Sequence, residues 1–409
     1  MPDTPAADGS HDFTALHAGR RDDPRGAGDG LAGQWYCAVQ DLAAELKQHG
    51  LAAERLDIYV RDRAAWEDDP LMGDTICREV MGGAKPPFRL ADWPPPDGAA
   101  LPADTLIAVR ARTRAAPDAE PQGPVYRGYS FAELNREYSP STRVADYAGI
   151  LRSWRRRGRD FVRRRTAELR YGPSPRQTMD LYMPEPCPGN GGAKPPLFVF
   201  IHGGYWQAID KRDNGQVLEA LLARGVAGVS LNYDLCPDVT IGDIAAQCRT
   251  ALCYLHGHAA DWGYDPDRPH AGGHSAGGHL TAMLGTDADA PKLASLTLLS
   301  GLYDLEPLRL TAMNPVLRLD PVSAREWSPL YRRPRGNPVV ILAVGERESA
   351  EFHRQTARLA TAWTTDAVIR HAAAPDDNHF SIIDRLAEPG SALFRAVFGA
   401  IGAGAPLPA

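Results

Sequence analysis

Apolar and polar positions along this chain change their period part-way. Val39, Leu42, Ala43 and Leu46 recur at helical spacing, and Gly50 stops the run. Leu56-Asp-Ile-Tyr-Val60 then alternates, as a strand with one buried face does. A second helical pattern runs to about Met81, and 86–90 and 106–109 read as further strands. Helix, strand, helix, strand, strand predicts a small α+β module over 31–112. Before it, residues 1–30 are polar and acidic and are expected to be disordered. After it, the Pro- and Ala-containing stretch 113–125 is expected to be a linker.

Beyond 126 the pattern is different. A helix is expected near 145–165, and it carries Arg155, Arg156, Arg157, Arg159, Arg163, Arg164 and Arg165. Such a basic run reads as a solvated helix face, with an acidic partner domain as the alternative. From 166 onward short apolar runs at 167–171, 177–183, 197–201, 227–232, 268–272, 294–300, 338–344 and 366–371 are separated by helical patterns. Strands alternating with helices mean a mostly parallel sheet covered on both faces. An α/β domain over 126–409 follows.

Composition narrows the function classes. The chain's 409 residues suffice for two domains, and its net charge of −6 argues against general nucleic-acid binding. Six cysteines without a C-x-x-C pair suit reduced thiols in a cytoplasmic protein. No apolar run is long enough to span a bilayer or to form a signal-peptide core, so no membrane association is expected.

The candidate chemistry centres on Gly273-His274-Ser275-Ala276-Gly277. This is the G-x-S-x-G turn on which α/β-hydrolases display a nucleophilic serine at the carboxyl edge of the sheet. A serine hydroxyl needs a base to take its proton and an acid to orient that base, in the chain order Ser, acid, His. Of the later histidines, His279 lies too near the serine, His353 sits in a helical pattern and His371 in a strand. His379, in the polar loop Pro375-Asp-Asp-Asn-His-Phe380, is the expected base. Glu346 and Glu348 follow the penultimate strand and are the acid candidates, with Asp304 as an outside one. Upstream, Phe198-Val-Phe-Ile-His-Gly-Gly-Tyr-Trp206 places His-Gly-Gly after a buried strand. The N–H groups of Gly203, Gly204 and Ala276 are expected to form an oxyanion hole, with His202 shaping their loop.

These motifs together resemble the kynurenine formamidases (arylformamidases) of the α/β-hydrolase superfamily. The matching pieces are "LNREYSPS" (134–141), "HGGYW" (202–206), "NYDLCPDVTI" (232–241), "GHSAGGHL" (273–280), "SGLYDLEPL" (300–308), "SPL" (328–330), "GERESAEFHRQ" (345–355) and "NHFSII" (378–383). The resemblance implies Glu348 as the acid, where many members carry Asp. It implies N-formyl-L-kynurenine or a similar aryl formamide as substrate, and no metal or organic cofactor. Tyr205, Trp206, Tyr303 and Phe380 are then expected to wall an aromatic slot. A carboxylesterase for small aryl or acyl esters is the nearest alternative, and a non-catalytic binding protein a further one. In the amino-terminal module "ERLDIYVRD", "ICREVMGGAKPPFRL" and "LPADTLIAVRAR" resemble the enamine/imine deaminase (Rid) family. Arg89 falls where that family binds a substrate carboxylate, but Arg110 stands where it keeps an acid. The module therefore reads as a docking or homo-oligomerisation element rather than as half of a bifunctional enzyme.

Overall fold

The computed structural model describes residues 10–12 and 16–18 and most of the chain from 31 to 402; the longest stretches left undescribed within that span are 68–87 and 186–192. The chain divides into two compact units. The first comprises Met1–Asn135, Ser141–Arg152 and Thr311–Pro315, and the second the remaining residues.

In the first unit β1 (Ser10–Asp12), β2 (His17–Ala18), β3 (Leu51–Val60), β4 (Phe88–Ala91) and β5 (Ile107–Ala115) form one sheet. Its order is β1-β5-β3-β4, with β2 also on β5. β3 and β4 are parallel, whereas β5 runs antiparallel to β1, β2 and β3. The helix Leu31–Gln48 buries Trp35, Val39, Leu42 and Leu46, and Leu56, Ile58 and Val109 are buried on the sheet. Trp66, from the short helix Arg63–Glu67, meets Trp35 edge-on at 5.3 Å.

Two expectations change here. The region 1–30 is not wholly without structure, because β1 and β2 lie inside it. They are short and polar, and their partner β5 rather than their own pattern makes them strands. The expected linker 113–125 begins inside β5, which continues to Ala115 through backbone pairing with Leu51–Ala53. It ends in a hairpin of β6 (Pro124–Tyr126) and β7 (Tyr129–Ser130). The remainder of the helical pattern toward Met81 lies outside the described residues.

The compact units also ignore the sequence boundary. Tyr147 of the first unit is 1% exposed and its ring lies 5.9 Å from that of Tyr36. The N–H of Ala312 donates to Asn135 Oδ1 at 2.8 Å. Segments so distant in sequence cannot be grouped by hydropathy alone. A protein shortened to 121–409 is therefore expected to melt several degrees below the full chain, since it loses the packing around Tyr147. Thermal unfolding followed by circular dichroism checks this, and an unchanged midpoint would contradict it.

The second unit holds β8 (Ala167–Arg170), β9 (Thr178–Tyr182), β10 (Leu197–Ile201), β11 (Ala227–Leu231), β12 (His270–His274), β13 (Ser295–Leu299), β14 (Val339–Ala343) and β15 (Val368–His371). All eight fall where the apolar runs predict strands. Their order is β15-β14-β13-β12-β10-β11-β9-β8. Every pair from β11 to β15 along this order is parallel, and β9 alone is reversed, pairing antiparallel with both β11 and β8. Every residue of β9 through β13 is buried, as helices on both faces require. Among the described residues no helix is long and apolar enough to cross a membrane.

The arginine-rich helix runs from Tyr147 to Val162, and its charges are not simply solvated. Arg155 pairs with Asp213 at 3.1 Å, Arg157 with Asp384 at 2.8 Å, and, just past the helix end, Arg165 with Asp180 at 2.9 Å. These carboxylates lie far along the chain, so the pairing is tertiary and escapes a helix-face reading. Cys37, Cys236, Cys248 and Cys253 are free thiols, whereas Cys77 and Cys187 lie outside the described residues.

Candidate active site

The central strand β12 delivers Ser275 to a strand-to-helix turn before the helix Ala276–Thr286. Ser275 adopts φ 55° and ψ −118°, a strained conformation for a residue with a side chain. The turn is held in place, since Ser275 N–H donates to Leu299 O at 2.8 Å and its own carbonyl accepts from His279 N–H at 3.1 Å. The flanking glycines are required by their surroundings. A Cβ on Gly277 would run into the Ile201 carbonyl of β10, and one on Gly273 into the Gly277 carbonyl. Both obstacles are backbone, so Gly277→Ala is expected to cost about 1–3 kcal/mol and several degrees of melting temperature. Calorimetry reads this, and an unchanged midpoint would contradict it.

His379 Nδ1 lies 2.7 Å from Glu348 Oε2, and both side chains are nearly fully buried. The other carboxylate oxygen, Oε1, accepts from Ser300 Oγ at 2.5 Å and from Gly345 N–H at 2.7 Å. The competing acids are engaged elsewhere: Asp304 bonds Arg358 at 2.5 Å, and Glu346 accepts from Asp376 N–H at 3.4 Å. His353 sits in the helix Ala350–Trp363 and His371 in β15, as their patterns predict. The loop carrying His379 docks by Arg347 N–H on Asp377 O at 3.0 Å and by Arg385 bonding the Asp377 carboxylate.

The residue that ties this loop to the serine turn is one that sequence reasoning passed over. His274 Nε2 lies 2.6 Å from the backbone carbonyl of His379, and the two rings are 4.7 Å apart. Burial first, and the neighbouring His379 second, hold His274 well below its ordinary pKa. It is therefore neutral, and its Nε2–H donates. Its signal was its place inside the G-x-S-x-G pentapeptide, where attention falls on the serine.

Gly203 and Gly204 follow β10, and Ala276 is the first residue of its helix, where N–H groups have no intrahelical acceptor. Behind them His202 stacks on Tyr233 at 4.2 Å, with Nε2 3.0 Å from Asn232 Oδ1. Tyr233 donates to the carbonyls of His202 and Gly203 at 2.8 and 3.0 Å. Asn232 donates to Asp210, and Arg176 donates to Asn232 Oδ1. This lattice explains the "NYD" motif, and it makes His202 a shaper of the loop. A second lattice joins "REYSPS" to "SAEFHRQ": Tyr138 donates to Glu351 at 2.7 Å and accepts from Gln355 at 3.0 Å.

The four expected aromatic walls are all nearly buried. Tyr205 donates to Tyr138 O at 2.6 Å, and Trp206 meets the His279 ring edge-on at 4.9 Å. Phe380 packs on Trp154 at 6.0 Å and on His379 at 5.3 Å. Tyr303 N–H donates to Gln355 Oε1 at 2.8 Å. Each ring thus has packing work in the loops that carry the site.

Desolvation also pushes His202, His270 and His279 down to about 4. The unfolded chain binds protons at these positions below about 6.5, whereas the folded chain does not until about 4. Stability is therefore fully present above about pH 6.5 and falls as pH drops toward 4, by on the order of 1.4 kcal/mol per pH unit per histidine. Urea unfolding at a few pH values across this window is expected to show a steep loss; a flat profile would contradict it.

The chain is similar to known proteins in sequence and fold. The family described as BD-FAE matches residues 179–300. A solved structure described as a thioesterase, from Silicibacter sp., is 31% identical with a TM-score of 0.58, covering 65% of this chain and 98% of that one. The kynurenine formamidase of Salmo salar is 27% identical over 280 residues, 63% of this chain and 91% of that protein. The kynurenine formamidase of Drosophila melanogaster is 30% identical over 227 residues, 48% of this chain and 71% of that protein. The chain belongs to the kynurenine formamidase family. As a kynurenine formamidase relative it is a hydrolase, and the mostly parallel eight-stranded sheet of its second unit is that of an α/β-hydrolase-like fold.

Proposed function

We propose that this hydrolase cleaves an aryl formamide, N-formyl-L-kynurenine or a close analogue, to the free aniline and formate. The observation that carries the reading is the His379–Glu348 bond, held beside the serine turn through His274. In this reading Ser275 Oγ attacks the formyl carbon while His379 takes its proton. The N–H groups of Gly203, Gly204 and Ala276 receive the charge that develops on the formyl oxygen. Glu348 orients the imidazole and stabilises its protonated form. His379 then protonates the departing aniline nitrogen, and water attacks the formyl ester on Ser275 to release formate. Because a formyl group is tiny, selectivity must come from the aryl side, and we assign that side to Tyr205, Trp206, Tyr303 and Phe380.

Labelling with a fluorophosphonate tests the nucleophile. The expected adduct maps to Ser275 and disappears in Ser275→Ala; a full-occupancy adduct elsewhere would overturn the assignment. Ester hydrolysis is the second reading, favoured by the 31% identity to a thioesterase structure, since it changes only the leaving group. For the amino-terminal unit we keep the Rid-like reading, as a docking or self-association element. Its support is the order of two strands, helix, and β3–β4–β5 in one sheet.

A further inference from the structure

The acid position holds a glutamate, one methylene longer than aspartate. A longer arm has an extra rotatable bond, and losing its freedom costs free energy unless a partner fixes it. Both carboxylate oxygens are in fact fixed. Oε2 meets His379 Nδ1, and Oε1 receives two donors, Gly345 N–H and the hydroxyl of Ser300. The Ser300 bond, at 2.5 Å, is the shortest of the three, as expected for a hydroxyl on a carboxylate.

Ser300 shows a second, independent peculiarity. It is the residue just past β13, fully buried, and its backbone stands at φ 49°, where a residue with a side chain is strained. Its N–H donates to Ala343 O at 2.8 Å, which anchors the strained residue to β14. The end of β13 is thus joined to the end of β14, just before the acid's loop, at the point from which the hydroxyl reaches Glu348. A glycine would fill this backbone position without strain, yet the chain places there a side chain that can donate.

We propose that Ser300 is a positioning residue, which locks the longer Glu348 carboxylate against His379 and so adds a third member to the hydrogen-bonded pair His379–Glu348. It touches no substrate. It acts by removing the rotamers in which Glu348 turns away from the imidazole. The inference rests on the reading of Glu348 as the acid.

Its test compares Ser300→Ala, Ser300→Gly and Ser300→Thr in the full chain. Removing a hydrogen bond to a charged group is expected to lower kcat roughly 10- to 100-fold. KM is expected to stay unchanged, because the hydroxyl holds no substrate. Ser300→Gly is expected to lose as much activity as Ser300→Ala while melting at or above the wild-type temperature, since φ 49° suits glycine. Ser300→Thr keeps the donor; its branched Cβ is strained at φ 49° and is expected to lower the melting temperature, but the folded enzyme is expected to keep most of kcat. A structural role alone would instead make activity follow stability, with the glycine variant active. The effect is also expected to vanish in a Glu348→Gln background, where the carboxylate to be held is gone. Wild-type kcat in a folded Ser300→Gly would overturn this proposal alone. Wild-type kcat in Glu348→Gln would overturn the acid assignment on which it rests.

Discussion

Replacing Ser275 with alanine is expected to lower kcat on an aryl formamide roughly 10⁴- to 10⁶-fold, with the fold intact. The hydroxyl sits at the strained turn between β12 and its helix, and alanine adopts the same backbone at no greater cost. What disappears is the covalent step, leaving only the oxyanion N–H groups and binding to act on bulk water. His379→Ala is expected to come close to the same loss, and the double variant to be no worse than either single one, because the base has no other proton to take. Steady-state kinetics on the three variants reads this. A Ser275→Ala enzyme keeping a tenth of the wild-type rate, or losses that multiply, would refute the covalent mechanism.

Glu348→Gln is expected to slow turnover about a hundredfold or more while leaving the fold intact. Glutamine keeps the shape but cannot stabilise the charged imidazole, and its amide can face His379 Nδ1 with the wrong partner. Asp304→Asn is the informative control. Asp304 is buried at 2% exposure and bonds Arg358, so its loss is expected to cost stability but less than about fivefold in kcat. A larger loss of kcat at Asp304 than at Glu348 would move the acid to the earlier strand.

The sheet of the second unit was legible because each of its strands is a short apolar run between helical patterns, and burial on both faces leaves no other reading. The serine turn and the His-Gly-Gly loop followed from motif order, whereas Glu348 rather than Asp304 as the partner of His379 followed from the family resemblance. The supports behind them were not legible. His274, Ser300 and Tyr138 act through contacts to residues distant in the chain, and nothing in a linear pattern distinguishes such a side chain from a core one. The same limit hid β1 and β2, whose polar residues become strands only against β5, and the tertiary partners of Arg155 and Arg157. The first compact unit likewise gathers 141–152 and 311–315, segments that no linear pattern groups together.

The leaving group is the point on which the functional reading stands or falls. The most direct measurement is kcat/KM for N-formylkynurenine, followed by the absorbance of the released amine, beside kcat/KM for a short aryl ester on the same enzyme. The account predicts that the formamide is hydrolysed at least as efficiently as the ester, and that both activities vanish together in Ser275→Ala. Efficient ester hydrolysis with no detectable release of the amine would contradict it.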